Sequence, residues 1–237
     1  MVTEHTKMAM PETNIGLFPD VGGGYFLSRC PGRMGEWLAL TGDVIDGATA
    51  VTIGLADHLV DAARLPEAWE ALATLDWSVA DPLGVWAAMF SGATRAESTG
   101  ARGQIDQYFA LDSVPSIVRA LEADTSEWAQ HTAATLRKRS PLMLHVVLEQ
   151  VRRARHMTLA DDLRMERDMV RHCFFTPHLG RSGAACETVE GIRALAVDKD
   201  HAPRWNPVRI EDVTAEMVAP FFASPWPASA HPLRDLA

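Results

Sequence analysis

Two carboxylates, Glu12 and Asp20, stand in the stretch of this chain whose composition best suits chemistry. Residues 9–27 run from Ala9-Met10-Pro11-Glu12 through Ile15 and Gly16 to Phe18-Pro19-Asp20-Val21, then Gly22-Gly23-Gly24 and Tyr25-Phe26-Leu27. An acid held between Met10, Pro11 and Ile15 resists ionisation, because loss of water disfavours the charged form. An acid just before the glycine run can meet the amides that open a helix, which favours the charged form. Two acids in unlike surroundings can divide the roles of acid and base, activating water, protonating a leaving group or moving a proton beside a carbonyl. The spacing also fits a plainer arrangement in which Glu12 closes a strand end and Asp20 caps the next helix.

The elements that must position the pair follow from local pattern. Residues 2–9 read as the end of a strand, which Pro11 terminates. Gly22 to Gly24 open a short helix through Leu27, and a second runs from Arg33 to Leu40 and stops at Thr41-Gly42-Asp43. Asp46 is an N-cap for a third helix that ends at Gly54. Residues 55–60 read as a short buried strand, giving an α/β rhythm up to about residue 60. Beyond it, apolar residues at three- and four-residue spacing predict helices over 64–75, 82–90, 113–123, 125–139, 141–155 and 159–174. Residues 91–100 read as a connector, and the proline-rich tail from Pro203 carries one short helix over 214–222. The chain is thus expected to divide into 1–62, 63–202 and 203–237.

Composition narrows the function classes. A chain of 237 residues with 47% hydrophobic and 22% charged residues is ordinary for a globular protein. A net charge of −9 argues against a broad nucleic-acid footprint. No apolar run approaches the roughly 18–20 residues of a membrane span. The first 20 residues include Glu4, His5, Lys7, Glu12 and Asp20 in place of a signal peptide's apolar core. Cys30, Cys173 and Cys186 match neither a zinc pattern nor a disulfide framework, so a reducing cytoplasm is expected.

Other motifs are weaker. Gly22-Gly23-Gly24 lacks the Lys-Ser/Thr of a phosphate-binding loop, and Gly180-Arg181-Ser182-Gly183 is not a nucleophile elbow. His172, Cys173 and His178 lack a fourth ligand, so no metal is proposed. The basic run Arg137-Lys138-Arg139 and the group Arg152, Arg153 and Arg155 read first as solvated helix faces, with phosphate contact the alternative.

The stretch 8–27, followed by 38–60, resembles the crotonase superfamily, and within it the 3-hydroxyisobutyryl-CoA hydrolases. The discriminating residues are Phe18-Pro19-Asp20-Val21-Gly22-Gly23, where enoyl-CoA hydratases usually have Pro-Gly-x-Gly-Gly. The likeness continues through Trp128-Ala129, Ser140-Pro141-Leu142 and residues 190–205, covering nearly the whole chain.

The resemblance implies an α/β fold, the C-terminal portion of a crotonase-like (ClpP/crotonase) spiral followed by a mainly helical region. It implies an acyl-CoA thioester hydrolase of valine breakdown, with coenzyme A as part of the substrate and no separate cofactor. Glu12 is then the principal catalytic carboxylate, toward water or as nucleophile on the thioester, while Asp20 binds the 3-hydroxyl and helps position or protonate reacting groups. Both acids contact substrate, and Lys199, with Arg204 beside it, is a candidate for the CoA end.

Family members carry about a hundred further residues before this point, which supply most of the sheet and the oxyanion hole. Loss of one oxyanion donor costs roughly 3 kcal/mol. The chain is therefore expected to depend on an N-terminal portion, as a partner chain or otherwise, or to form a homo-oligomer that covers its apolar faces. The alternatives are an enoyl-CoA hydratase or isomerase and a noncatalytic remnant or subunit.

Overall fold

The computed structural model describes residues 1–90 and 100–237, so the connector expected over 91–100 lies outside the described residues except for Gly100. The chain divides into two compact units that alternate in sequence. One comprises Met1–Ala9 and Val44–Arg102, and the other Met10–Asp43 and Gly103–Ala237.

In the first unit, β1 (Lys7–Met8) pairs antiparallel with β2 (Ile45–Asp46) in a two-stranded sheet. The strand expected over 2–9 is this short because Thr3 and Thr6 close a turn ahead of it, with Thr6 N–H donating to Thr3 O and Thr3 N–H to Thr6 Oγ1. The expected strand over 55–60 is corrected to a single parallel bridge between Val2 and Leu59, held by Val2 N–H to His58 O and Val60 N–H to Val2 O. Apolarity there reflects packing: Val60 is fully buried against Ala68 and Phe90 without a ladder.

Helix α3 (Gly47–Thr52) starts as expected, with Asp46 accepting from Thr49 N–H at 2.8 Å. Helices α4 (Leu65–Ala73) and α5 (Pro82–Phe90) are pinned by Trp86 Nε1–H donating to Ala68 O at 2.8 Å. They leave Leu65, Trp69, Leu83, Val85 and Met89 exposed.

The second unit is helical. It holds α1 (Gly23–Ser28), α2 (Met34–Thr41), α7 (Val114–Ala123), α8 (Glu127–Lys138), α9 (Pro141–Ala154) and α10 (Leu159–Phe174). Short polar caps start four of these helices: Ser113, Ser126, Ser140 and Thr158 each accept an amide three residues on. Two helices were not anticipated. Helix α6 (Arg102–Phe109) is mostly polar yet anchors Ile105 and Phe109, and α11 (Glu187–Ile192) is too short to show a period. In the tail, α12 (Ala215–Val218) and a following 3-10 turn fall within the expected 214–222 segment. Among the described residues, no helix is long and apolar enough to cross a membrane.

Helix α9 carries the centre of this core, with Leu144, Val146, Val147 and Val151 fully buried and contacts to both α1 and α2. Helix α2 follows α1 closely because Gly35 lies against the Leu27 carbonyl, where a Cβ would overlap backbone. Gly35→Ala should therefore destabilise the protein by about 1–3 kcal/mol, the usual cost of overpacking, read as a lower urea midpoint at unchanged m-value.

Candidate active site

Glu12 opens a single 3-10 turn, Glu12–Ile15, which ends at Gly16 in the left-handed conformation (φ 66°). So short a turn has little stability of its own, and three neighbours hold it. Helix α2 presents the Leu40 carbonyl to Thr13 Oγ1–H at 3.1 Å, and the left-handed Gly42 after it would bring a Cβ to 2.7 Å from Pro11 Cα. The start of α9 supplies Ser140, whose N–H donates to Thr13 O at 3.1 Å, while Arg139 Nη1–H donates to Asn14 Oδ1 at 2.8 Å. Helix α11 lies so close that a Cβ on Gly16 would overlap the Glu187 carbonyl, and one on Gly191 would overlap the Ile15 carbonyl. Thr188 Oγ1–H then donates to Gly16 O at 2.6 Å.

Helix α11 is fixed by its own buried acid. Glu187 accepts from Ser140 Oγ–H and, at 2.8 Å, from Asn206 N–H, with Arg181 at 3.5 Å. Burial still pushes its carboxyl up.

Glu12 is half-buried, and its Oε2 is buried without a hydrogen-bond partner among the described residues. Desolvation pushes its carboxyl up to about 7; its own backbone amide opposes the rise, and the nearby Asp20 charge adds to it. The expected resistance of Glu12 to ionisation is met by its desolvation. A carboxyl titrating near neutrality is suited to giving and taking protons at physiological pH.

Asp20 is half-buried and electrostatically coupled to Glu12, so the structure brings the two acids together. The expected reason for its placement is corrected. The amides opening α1 do not go to its carboxylate: Gly22 N–H donates to Glu166 Oε2 at 2.8 Å, Gly24 N–H to Glu166 Oε1 at 3.1 Å, and Tyr25 N–H to Asp162 Oδ2 at 2.9 Å. Asp20 contributes only its carbonyl, to Gly23 N–H at 2.9 Å. These partners lie some 140 residues away, beyond the reach of local pattern. A signal existed nonetheless, since Asp162 and Glu166 share the face of α10 that buries Met165, Met169 and Cys173.

Of the basic residues singled out by sequence, the 137–139 run and Arg204 meet at one pocket. A pocket of about 580 Å³ is lined by Asn14, Lys138, Arg139, His201, Arg204 and Trp205, among others. It abuts the Glu12 turn through Asn14. Arg137 is committed to Glu122 and Glu211 at 2.8 and 2.7 Å, and Arg139 to the Thr41 carbonyl. Lys138 has no ion-pair partner among the described residues, and Arg204 is 81% exposed, 3.6 Å from Glu190. Lys199 is exposed in a left-handed turn (φ 56°) and does not line this pocket.

His172 and His178 face each other edge-on at 6.0 Å, with His172 bonded to the Ala223 carbonyl. Among the described residues, no group of three or more His, Cys, Asp or Glu is placed to hold a metal.

The half-buried acid pair thus sits on a turn beside a glycine-started helix in a helix-rich α/β fold. The sequence profile of the enoyl-CoA hydratase/isomerase family matches residues 1–222, and the protein belongs to this family, the crotonases. It is 37% identical to the small ribosomal subunit protein mS47 of Arabidopsis thaliana, over 94% of this chain and 54% of that protein. It is 36% identical to the probable 3-hydroxyisobutyryl-CoA hydrolase 3 of the same plant, over 94% of this chain and 59% of the relative. The crystal structure of a carnitinyl-CoA dehydratase from Mycobacterium thermoresistibile superposes with a TM-score of 0.80 at 37% identity, covering 95% of this chain and 61% of that one. The chain thus spans little more than half the length of the curated relatives it matches.

The Glu12 environment has a measurable consequence. A carboxyl raised from 4.5 to about 7 by folding contributes stability that is fully present below about pH 4.5 and lost as pH rises through 7. Urea unfolding at pH 5 and pH 8 should show Glu12→Gln removing part of this fall, with the variant more stable than wild type at pH 8.

Proposed function

We propose that this chain carries the acid pair of an acyl-CoA thioester hydrolase of the 3-hydroxyisobutyryl-CoA type. The observation that carries the reading is Glu12: a desolvated carboxyl with one unpartnered buried oxygen, beside Asp20 in the Phe18-Pro19-Asp20 sequence. An ionised Glu12 takes a proton from water as that water adds to the thioester carbonyl, or adds to the carbonyl itself to give an anhydride that water then cleaves. In either route the C–S bond breaks and the CoA thiolate leaves with a proton. Asp20 accepts a hydrogen bond from the substrate's 3-hydroxyl. Lys138 and Arg204, at the pocket reached through Asn14, offer charge to the CoA phosphates, and Lys199 is a more distant candidate for the same role.

Because Glu166 and Asp162 occupy the amides opening α1, those amides do not serve as an oxyanion hole. The reading places the oxyanion donors on polypeptide outside these 237 residues, as the shorter span relative to the hydrolases suggests. A second reading, hydration or isomerisation of an enoyl-CoA, draws on the likeness to the carnitinyl-CoA dehydratase. A third, a noncatalytic component of an assembly, draws on the likeness to mS47.

Thiol release from 3-hydroxyisobutyryl-CoA tests these readings, with the chain alone and with the N-terminal portion of a hydrolase relative supplied in trans. Glu12→Gln should lower kcat/KM by at least about a hundredfold, Asp20→Asn should lower it too, and Lys138→Ala should raise KM with kcat unchanged. Turnover of an enoyl-CoA without thiol release would favour the hydratase reading. Thiol release indifferent to both acid variants would remove the assignment of the site.

A further inference from the structure

Two further buried acids lie beneath the Asp20 turn, and the proposed chemistry does not use them. Asp162 is fully buried and Glu166 is 4% exposed, one helical turn apart on α10. The carboxylate of Glu166 spans the amides of Gly22 and Gly24, one oxygen to each, and Asp162 Oδ2 takes the amide of Tyr25. Helix α9 closes the far side with Gln150, whose Nε2–H donates to Pro19 O at 2.7 Å and lies 3.4 Å from Glu166 Oε1. Every backbone group that these side chains hold flanks Asp20. A Cβ on Gly24 would come within 2.5 Å of Asp162 Oδ1, so that glycine permits the close approach.

The segment they hold is not one the chain would adopt unaided. Val21 has φ 59° and Gly22 φ 86°, two successive left-handed residues directly after Asp20. A β-branched residue in that region is a genuine outlier, at a cost of order 1–3 kcal/mol, and persists only where its surroundings over-determine it. Val21 is also 81% exposed, so packing of its own side chain does not supply the restraint. The restraint available is the bidentate grip of Glu166 on the amides that follow.

We propose that Glu166 and Asp162 are positioning residues for Asp20, a carboxyl pair that clamps the Gly22, Gly24 and Tyr25 amides and so holds the strained turn that fixes the Asp20 carboxylate beside Glu12.

The clamp has a protonation state of its own. Two acids buried one helical turn apart favour a single proton held between them over two adjacent charges, and Asp162 Oδ1 is buried with no hydrogen-bond partner among the described residues. Burial, the dominant cause, pushes both carboxyls up, Glu166 to about 8, against the lowering effect of the amides. Of the elements packed on the pair, α1 presents the Arg29 charge toward Asp162 and α9 presents the neutral Gln150. The proton is therefore bound more tightly in the folded protein, and as pH rises through about 8 its loss leaves two buried like charges whose repulsion and desolvation oppose the clamp.

The inference rests on the reading in which Asp20 acts on substrate, and its test uses none. In the 237-residue chain, carboxyl 13C titration by NMR reports Asp20, and amide exchange reports Gly22 and Gly24. Glu166→Ala should raise exchange at both glycines at least tenfold and displace the Asp20 titration midpoint. Asp162→Asn, whose amide N–H replaces the shared proton, should keep the wild-type Asp20 midpoint and keep the glycines protected at pH 9, where wild type loses protection. An unchanged Asp20 midpoint in a folded Glu166→Ala chain would overturn the proposal, as would Asp162→Asn behaving like Glu166→Ala. If Glu166→Ala does not fold, the wild-type and Asp162→Asn pH series decides. Loss of glycine protection near pH 8 in wild type alone supports the clamp, and equal behaviour of the two chains overturns it.

Discussion

Backbone-to-backbone contact between α11 and the Glu12 turn is the constraint on which the site depends. At Gly16 and Gly191 the two segments approach more closely than any side chain allows, and Thr188 ties the turn's last carbonyl to the helix. A 3-10 turn of four residues has almost no cooperative stability of its own. Its position is therefore set from outside, by α11, by the Leu40 carbonyl at the end of α2 and by the residues before α9. Glu12 inherits its burial from this clamp. With the turn pressed against three helices, one carboxylate oxygen loses water without gaining a donor, and that loss is what raises its proton affinity.

Local chemistry made much of the fold legible and little of this clamp. Asp46, Gly42 and Gly54 mark helix ends by mechanisms that act within a few residues, and the structure places an N-cap and left-handed glycines there. The long helices α7 to α10 announce themselves by period because each buries one face. The strand expected over 55–60 shows the converse: apolar residues report burial, and only a partner strand decides whether burial comes with a ladder. Helix α6 escaped notice because few of its residues face the core, and α11 because six residues cannot display a repeat.

At the site, the sequence identified both acids and the apolar surroundings of Glu12, which lie adjacent in the chain. It misassigned the amides of the glycine run, because proximity in sequence favours Asp20 while the structure delivers Glu166 across 144 and 142 residues. A helix start attracts whichever carboxylate reaches it with the least loss of solvation elsewhere. Glu166 is already buried by α10, so meeting those amides offsets a cost it incurs in any case. Asp20 stays half-buried, its charge near enough to act on Glu12.

That division explains how one short segment can hold two acids of unlike character. Because the caps come from α10, the charge of Asp20 stays close enough to add to the rise that desolvation, the dominant cause, imposes on Glu12. The glycines serve the same end from the other side. Gly24 admits the Asp162 carboxyl and Gly22 takes the left-handed turn, so the run reads as clearance for buried acids and not as a cradle for phosphate. Affinity for an anionic substrate end then has to come from elsewhere in this unit, and the pocket joining Lys138 and Arg204 presents one cation without an ion-pair partner among the described residues and another that is largely exposed beside Glu190.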